Sequence, residues 1–300
     1  MLEGNAVIIT VALNGGAQMS RDGAIVPTQP AELGEAAARC YEAGAALVHV
    51  HARDREGRNS GDPTIYSEII REIRARCPIL IQTTNGIGMR RDPVTGNLQW
   101  PNDSERLGLL NIEPAQDLFG IAGGSADFYN PEGGYPAEIP FVNSPELLKA
   151  TIKAVYERGS AVEFEVVEAS SLHRLLRYAN DGLFDRERDN VWLLHGGGFG
   201  ATPAVARNVI FNIDEGQRLF PNAIWGITAT GREMFRFVTL GMAMGCDVVR
   251  VGFEDGVHLP DGTVAAHNHE MVAAAARIAE LYGARPATVE QARARFRLQG

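Results

Sequence analysis

The chain has 300 residues, of which 45% are hydrophobic and 22% are charged, and its net charge at pH 7 is −9. This composition is typical of a soluble globular protein, and we expect one catalytic domain over residues 1–300. The acidic balance argues against nucleic acid or an anionic membrane as the partner, because both require a basic surface. A small-molecule partner fits this charge better.

The sequence shows no targeting or membrane signal. Residues 1–12 lack the positively charged leader and the cleavage site of a signal peptide, and no apolar run reaches the roughly 18 residues of a membrane helix. We therefore expect a cytoplasmic protein. The three cysteines, Cys40, Cys77 and Cys246, are far apart and form no CxxC pair, so we assign them no chemistry.

Short runs rich in β-branched residues alternate with amphipathic stretches along the chain, a pattern typical of parallel strands joined by helices. The runs that we predict as strands are 6–13, 46–51, 79–84, 115–121, 161–167, 190–195, 223–228 and 247–253. Each is followed by a plausible helix. Eight such units predict an α/β fold, a closed (β/α)₈ TIM barrel.

Some helix boundaries and loops can also be located. Ser144 and Pro145 are expected to begin a helix that ends before Gly159. Segment 286–300 lies outside the eight units and is expected to cap the barrel or to contact another subunit. Loops after barrel strands form the active face. The three loops richest in Gly, Pro, Asn and Asp are 55–62, 89–104 and 126–143.

The second predicted strand ends in a His-x-His motif. Side chains two residues apart on a strand point to the same side, so His49 and His51 both face the barrel axis at its open end. A single histidine there is more often a core residue, but two imidazoles directed at one point are typical of metal ligands. Two neutral nitrogens supply too little charge for a divalent ion, so a further ligand is required.

The eighth predicted strand can supply that ligand. Arg250, Gly252 and Glu254 share one face, and strand eight of a closed barrel lies one place from strand two. Glu254 can therefore reach the metal, Gly252 leaves room for a ligand, and the inward-facing Arg250 requires an anionic partner. The alternative is that Glu254 and Asp255 only begin a solvated loop.

The three predicted ligands, His49, His51 and Glu254, leave open positions on the metal, which is the arrangement of a catalytic site. We expect Zn²⁺ or another divalent transition metal. Such an ion can polarise a carbonyl and stabilise an enolate, or it can lower the pKa of a bound water for hydrolysis. The ligand set alone leaves both reactions open.

Two further strands end in polar residues. Glu163 and Glu165 share a face of strand five, and two carboxylates inside a barrel are costly unless they bind a cation, a proton or a hydrogen-bond donor. We expect one of them to be functional. Thr84 ends strand three, where its hydroxyl can contact substrate or cap its own loop.

The loops after strands six and seven are candidates for anion binding. Gly197 and Gly198 follow His195, and their backbone N–H groups can hold a phosphate or a carboxylate. Residues 226–232 follow the seventh strand, where barrels often bind phosphate, and Arg232 can contact a cofactor there.

Together these motifs resemble the β-keto acid cleavage enzymes, a large bacterial family formerly described as a domain of unknown function and similar to 3-keto-5-aminohexanoate cleavage enzyme. The resemblance spans nearly the whole chain, and its most specific part is the His-x-His pair combined with the segment from Arg250 to Asp255. The matching segments are 8–15, 49–53, 82–86, 163–168, 225–232, 250–255 and 278–292.

The resemblance implies a zinc-dependent Claisen-type exchange, in which a β-keto acid and acetyl-CoA give acetoacetate and a new acyl-CoA. The positions that match the family's metal ligands are His49, His51 and Glu254. Asp255, positioned by Arg250, matches the base that removes the α-proton of the keto acid.

The resemblance also implies contacts with the substrate. Thr84 and Glu165 stand where the family has a hydroxyl and a carboxylate that help to hold the substrate and the intermediates. We assign further substrate or cofactor contacts to Asn14 and Arg53, after the first two strands. Because the segment 14–18 after the first strand contains no acidic residue, we do not expect an ammonium-bearing keto acid. The family tends to form homodimers or homotetramers, and we expect the same here.

Other differences from the family pattern also lie on the substrate face. The segment 119–128 lacks an Asn-rich pattern, His195 stands where a proline is usual, and Gly256 replaces an asparagine. These differences concern the substrate, and they leave the predicted metal ligands unchanged.

Two other functions fit parts of the pattern. A metal-dependent hydrolase of the amidohydrolase kind is also a barrel with a His-x-His pair, but that pair belongs to its first strand and further histidines follow the middle strands. Here strand five has none, and His195 alone favours a hydrolase. A barrel that binds metal without catalysis is the other alternative. The set of Arg250, Glu254 and Asp255 argues against it, because apolar residues would remove the cost of burying these charges.

Overall fold

The structure is a computed structural model that describes residues 5–16, 23–130, 135–187, 191–197 and 202–298, without the side chains of 127–130, 135–138 and 191. Eight parallel strands close into a barrel, because the eighth pairs with both the seventh and the first. The barrel strands are β1 Ala6–Ala12, β2 Leu47–His49, β3 Leu80–Thr84, β4 Leu118–Ala122, β5 Ala161–Val166, β6 Val191–Gly196, β7 Ile224–Ala229 and β8 Val248–Val251. The predicted TIM barrel is confirmed, and each predicted strand overlaps one of these.

A helix follows each barrel strand. These helices are α1 Pro30–Glu42, α2 Pro63–Arg74, α3 Asp103–Gly108, α4 Pro145–Glu157, α5 Ala169–Asn180, α6 Ala206–Leu219, α7 Met234–Ala243 and α8 Asn268–Leu281. Helix α4 begins as the sequence predicts, since the Ser144 hydroxyl accepts a hydrogen bond from the Leu147 N–H and Pro145 lies in the first turn. None of the helices in the described ranges is long and apolar enough to cross a membrane.

Two of the three predicted loops contain short antiparallel strands. Arg90–Arg91 pairs with Leu98–Gln99, and Ala126–Asn130 pairs with Tyr135–Phe141. The buried guanidinium of Arg106 on α3 donates hydrogen bonds to the carbonyl oxygens of Asn85 and Val142, 3.1 and 2.8 Å away. The second hairpin is therefore fastened to the loop that follows β3, at the carboxyl end of the barrel.

Inward-facing and outward-facing side chains alternate along the strands. The outward residues, such as Ile9, Val48 and Ile81, are buried against the helices in the main core. The inward residues at the amino end of the barrel are also apolar, and they form a second cluster with the C-terminal segment. This cluster contains Ala6, Ile8, Ala46, Leu47, Leu80, Leu118, Ile224, Val248, Ala287, Val289, Ala292 and Phe296. Polar inward residues occur only further along the strands, so the barrel presents its chemistry at the carboxyl end.

The C-terminal helix α9, Val289–Arg295, closes the amino end of the barrel. Thr288 and Gln291 form a reciprocal capping box at its start, in which each side chain accepts a hydrogen bond from the backbone N–H of the other. Arg295 forms an ion pair with Asp247 at the start of β8. The described part of segment 286–300 therefore covers the apolar interior, and a contact with another subunit stays a prediction.

The turn after β8 packs directly on the backbone of β1. Gly252 has a φ of 132°, and a Cβ added there would lie 2.3 Å from the carbonyl oxygen of Ala12. The N–H of Glu254 donates a hydrogen bond to the same oxygen, at 3.2 Å. The sequence suggested that Gly252 leaves room for a ligand. That interpretation was wrong, because the backbone of β1 fills the space.

We expect Gly252→Ala to destabilise the protein more than Gly245→Ala does. Both glycines have a positive φ, but a Cβ at Gly245 meets nothing within 4 Å. In the Gly245 variant, the free energy of unfolding should fall only by the cost of a left-handed backbone, about 1–2 kcal/mol. It should fall further in the Gly252 variant, because the added Cβ also forces β8 away from β1. Urea denaturation measures both losses. Equal losses would show that the contact with Ala12 does not require a glycine.

Candidate active site

The three predicted metal ligands meet at the carboxyl end of the barrel. The Nε2 atoms of His49 and His51 are 3.1 Å apart, and the carboxylate oxygens of Glu254 lie 3.3 and 3.4 Å from them. One ligand atom from each residue lies within 4.8 Å of the others. Both imidazoles are buried, and 21% of the Glu254 side chain is exposed, so the cluster opens towards the barrel mouth.

The hydrogen bonds of the two imidazoles determine which nitrogens carry protons. His49 Nδ1 lies 2.6 Å from the Gln82 side-chain oxygen, and His51 Nδ1 lies 3.4 Å from the Ile87 carbonyl oxygen. Both partners accept hydrogen bonds, so a proton on each Nδ1 would satisfy them and would leave a lone pair on each Nε2. In that tautomer, two lone pairs and the Glu254 carboxylate converge on one point. This donor set fits a divalent cation.

Burial lowers the pKa of His49, although the nearby charge of Glu254 opposes the shift. The imidazole of His49 is therefore held neutral, which is the form that binds metal. Burial also disfavours the charged form of Glu254, but Arg250, His49 and His51 together outweigh it and hold the pKa of that carboxyl well below its ordinary value. Both ligands are thus in their metal-binding forms.

Two buried asparagines fix the backbone around the ligands. The Asn14 amide donates to the His51 carbonyl oxygen at 2.9 Å and accepts from the His51 N–H at 3.0 Å. The Asn268 amide accepts from the Phe253 N–H at 2.9 Å and donates to the Leu13 carbonyl oxygen at 3.0 Å. Asn14 therefore supports a metal ligand in this structure. Asn268 was missed in the sequence, because it lies at the start of α8 without a recognisable motif.

The loop after β1 lies against the metal ligands. Gly15 has a φ of 63°, and a Cβ added there would lie 2.5 Å from Cγ of Glu254. The Gly15 carbonyl oxygen accepts a hydrogen bond of 3.1 Å from the buried guanidinium of Arg53. Arg53 thus holds this loop beside Glu254, and its predicted contact with substrate stays a prediction.

Arg250 is buried at the centre of the site and is surrounded by carboxylates. Its guanidinium lies 3.2 Å from Glu165, 3.1 Å from Glu254 and 2.8 Å from Asp255. Burial by itself lowers the pKa of Arg250, but the three negative charges outweigh it and raise the pKa above its ordinary value. Three ionised carboxylates facing one guanidinium would leave two negative charges uncompensated, which a divalent cation could balance.

Asp255 is held by four hydrogen bonds from its surroundings. Arg250 binds both of its oxygens, at 2.8 and 3.1 Å, while His195 and the Thr228 hydroxyl lie 3.3 and 3.4 Å away. Burial raises the pKa of Asp255, but the charge of Arg250 and the hydrogen bond from His195 together hold it below its ordinary value. The carboxylate is therefore ionised and fixed in orientation.

The remaining predicted contacts are placed as follows. The Thr84 hydroxyl accepts from the Gly86 N–H at 3.0 Å, so it caps its own loop and still has a proton to donate. The Gly197 N–H donates to the Thr202 carbonyl oxygen at 2.9 Å, and the anion contact expected at Gly197 stays a prediction. Gly198 lies outside the described residues. Arg232 lies on the turn Gly231–Glu233 after β7, with its side chain exposed.

Comparisons with known proteins show which family the chain matches. A family model described as beta-keto acid cleavage enzyme matches residues 6–298. The chain is 30% identical over 291 residues to the 3-keto-5-aminohexanoate cleavage enzyme of Fusobacterium nucleatum, with 96% of each chain covered. It is 28% identical over 290 residues to the 3-oxoadipate:acetyl-CoA acetyltransferase of Cupriavidus necator, which covers 96% of this chain and 93% of that one.

A solved structure shows the same barrel. The ternary complex of ObcA with C4-CoA adduct and oxalate superposes with a TM-score of 0.75 and 20% sequence identity, over 91% of this chain and 67% of that one. At this identity the likeness supports the fold alone. The match of the family model over nearly the whole chain shows that this protein is an enzyme of the β-keto acid cleavage enzyme family.

Proposed function

We propose that the protein is a zinc-dependent enzyme that condenses a β-keto acid with acetyl-CoA and releases acetoacetate and a new acyl-CoA. The proposal is carried by the convergence of His49, His51 and Glu254 beside the ion pair of Arg250 and Asp255. Family membership and the acetyl-CoA named for the Cupriavidus necator relative support the choice of co-substrate. Another divalent transition metal could serve in the same ligand set.

The metal site and the base are proposed to promote the same step, which is loss of a proton from one carbon of the substrate. A divalent ion held by His49, His51 and Glu254 supplies Lewis acidity, which favours loss of a proton from the carbon between the keto and carboxylate groups. Asp255, held by Arg250, accepts that proton. Because Arg250 binds both oxygens of Asp255, the carboxylate stays oriented while its charge changes.

The exchange then proceeds in two steps, and each step forms one bond and breaks one bond. The deprotonated carbon bonds to the acetyl carbonyl carbon, and CoA leaves as a thiolate. The thiolate attacks the original keto carbon, whose bond to the deprotonated carbon breaks, so that the original acyl group leaves on CoA. Asp255 returns its proton to the remaining carbanion, which becomes acetoacetate. Atoms and charge balance without an oxidant or a reductant.

Residues around the barrel mouth are proposed to hold the substrates. Thr84 can donate its hydroxyl proton to a substrate oxygen, and 23% of the Glu165 side chain is exposed beside Arg250. Arg232 is proposed to contact the phosphates of the CoA thioester. We also propose a homodimer or homotetramer, which light scattering can measure.

His195 had favoured the hydrolase alternative. It contacts Asp255, and within the part of the chain that the structure describes it does not belong to the cluster of three candidate ligands. The structure therefore offers no observation that favours a hydrolase. A barrel without catalysis is also disfavoured, because it would bury the ionised Asp255 and Arg250 for no chemical purpose.

Acyl-CoA formation tests the proposed function directly. Zinc-loaded protein of measured metal content should produce acyl-CoA from acetyl-CoA and at least one of a set of β-keto acids, and a chelator should abolish this turnover until zinc is restored. Acids of equal length with uncharged, carboxylate or ammonium side chains should be compared. We expect the ammonium-bearing acid to react slowest, because the segment 14–18 after β1 contains no acidic residue. No acyl-CoA from any of them would contradict the proposal.

Substitutions at the base and at a ligand should separate chemistry from metal binding. We expect Asp255→Asn to retain zinc but to lose turnover by roughly 100-fold or more, since a general base contributes about that much. His49→Ala should lose both. Metal analysis and acyl-CoA formation measure the two properties, and Asp181→Asn, at an exposed carboxylate, is the control. An Asp255→Asn enzyme with normal turnover would contradict the assignment of the base.

The assignment of Arg232 can be tested against a neighbouring arginine. We expect Arg232→Ala to raise the KM for acetyl-CoA several-fold at low salt, with a smaller effect at high salt, because exposed charges are screened. Arg236→Ala is the matched control, since its side chain is 78% exposed and is paired with Glu233. Steady-state kinetics measures both variants. An equal change in KM would show that general surface charge, and not Arg232, attracts the thioester.

A further inference from the structure

We infer that Gln82 and Glu163 form a hydrogen-bonded relay inside the barrel that positions His49 as a metal ligand. Neither residue belongs to the proposed ligands or the proposed base, although both face the barrel interior. This inference rests on the metal site of the proposed function, and it does not depend on the reaction.

The relay crosses the barrel from β2 to β5. His49 Nδ1 lies 2.6 Å from the Gln82 side-chain oxygen, and the Gln82 side-chain nitrogen lies 3.0 Å from a Glu163 carboxyl oxygen. All three side chains are buried. Gly120 of β4 lies between β3 and β5, and a Cβ added there would lie 3.6 Å from Cδ of Gln82. The two hydrogen bonds therefore run from β2 through β3 to β5, past a glycine of β4.

The chemistry of Glu163 determines which way the Gln82 amide faces. An ionised carboxylate only accepts hydrogen bonds, so the amide must present its NH₂ group to Glu163 and its oxygen to His49. The oxygen in turn requires a proton on His49 Nδ1, which leaves a lone pair on Nε2. Without Glu163 the amide could turn over and donate to Nδ1, and the imidazole proton would then lie on Nε2, where it blocks the metal.

Glu163 is not explained as a partner of the buried arginine. Arg250 directs its guanidinium to Glu165, Glu254 and Asp255, and the hydrogen bond of Glu163 goes to Gln82. Burial raises the pKa of Glu163 to about 7, against the opposing effects of the Gln82 hydrogen bond and the charge of Arg250. A carboxyl group in such a costly position is expected to have a role that apolar packing cannot fill.

Zinc affinity measures the relay without relying on turnover. Dissociation constants should be measured by competition with a chromophoric chelator, about one pH unit above the pKa of Glu163, where the carboxylate predominates. We expect Gln82→Met and Glu163→Leu each to weaken zinc binding by roughly 10- to 100-fold, as loss of such supporting hydrogen bonds does elsewhere. Thr10→Val is the matched control. Thr10 lies on β1, beside β2, and its polar side chain is buried as fully as those of Gln82 and Glu163, but it lies outside the relay.

The double variant tests whether the two residues act through one path. If Glu163 acts only through Gln82, the variant with both substitutions should bind zinc no more weakly than Gln82→Met alone. The relay would be overturned if the fold-losses in zinc affinity of the two single variants multiplied in the double variant. It would also be overturned if Gln82→Met bound zinc as tightly as the wild type.

The tautomer of His49 provides a second measurement that needs no substitution. Nitrogen NMR of metal-free wild-type protein should show the His49 proton on Nδ1, and Glu163→Leu should move population towards Nε2. A wild-type proton on Nε2 would overturn the inference even if the variants fail to fold. If wild-type protein bound zinc and the variants bound it more weakly, but no acyl-CoA formed from any keto acid, the proposed reaction would fail and the relay would stand.

Discussion

The buried guanidinium of Arg250 connects the two halves of the active site. It contacts Glu254, which faces the metal ligands, and Asp255, which is the proposed base. A buried charge is tolerated only when it is paired and hydrogen-bonded, and here three carboxylates surround it. Because those carboxylates leave negative charge in excess, the cation proposed to bind at His49 and His51 would stabilise the cluster. The metal site and the base therefore form one electrostatic unit.

The barrel provides the rigid frame for this unit. Its inward residues are apolar at the amino end, where α9 covers them, and polar at the carboxyl end. Charged groups are thereby placed at the end that opens to substrate, while the opposite end is packed. Close backbone contacts then set the position of Glu254, since Gly252 touches β1 and Gly15 touches the Glu254 side chain. Small errors in these contacts would move a ligand by a distance that matters for metal binding.

The alternation of side chains along a strand made much of the site predictable. The pairing of His49 with His51 and the shared face of Arg250 and Glu254 follow from a two-residue period, which is a local property of the chain. The hairpins after β3 and β4 were not predicted, because glycine, proline and polar residues in 89–104 and 126–143 hide short strands. Likewise, nothing near Asn268 in the sequence indicates that its amide joins the ends of β1 and β8.

The sequence by itself determined the eight βα units, the inward face of each strand and the identity of the candidate metal ligands, because each depends on residues close together in the chain. Only the tertiary structure decided how those inward residues pair. Arg250 meets Glu165, and Gln82 meets Glu163, through closure of the barrel and the pairing of β3 and β5 with β4. Hydrogen-bond partners distant in sequence leave no periodic signal, so the contact of His49 with Gln82 and the orientation of Asp255 could be seen only in the folded chain.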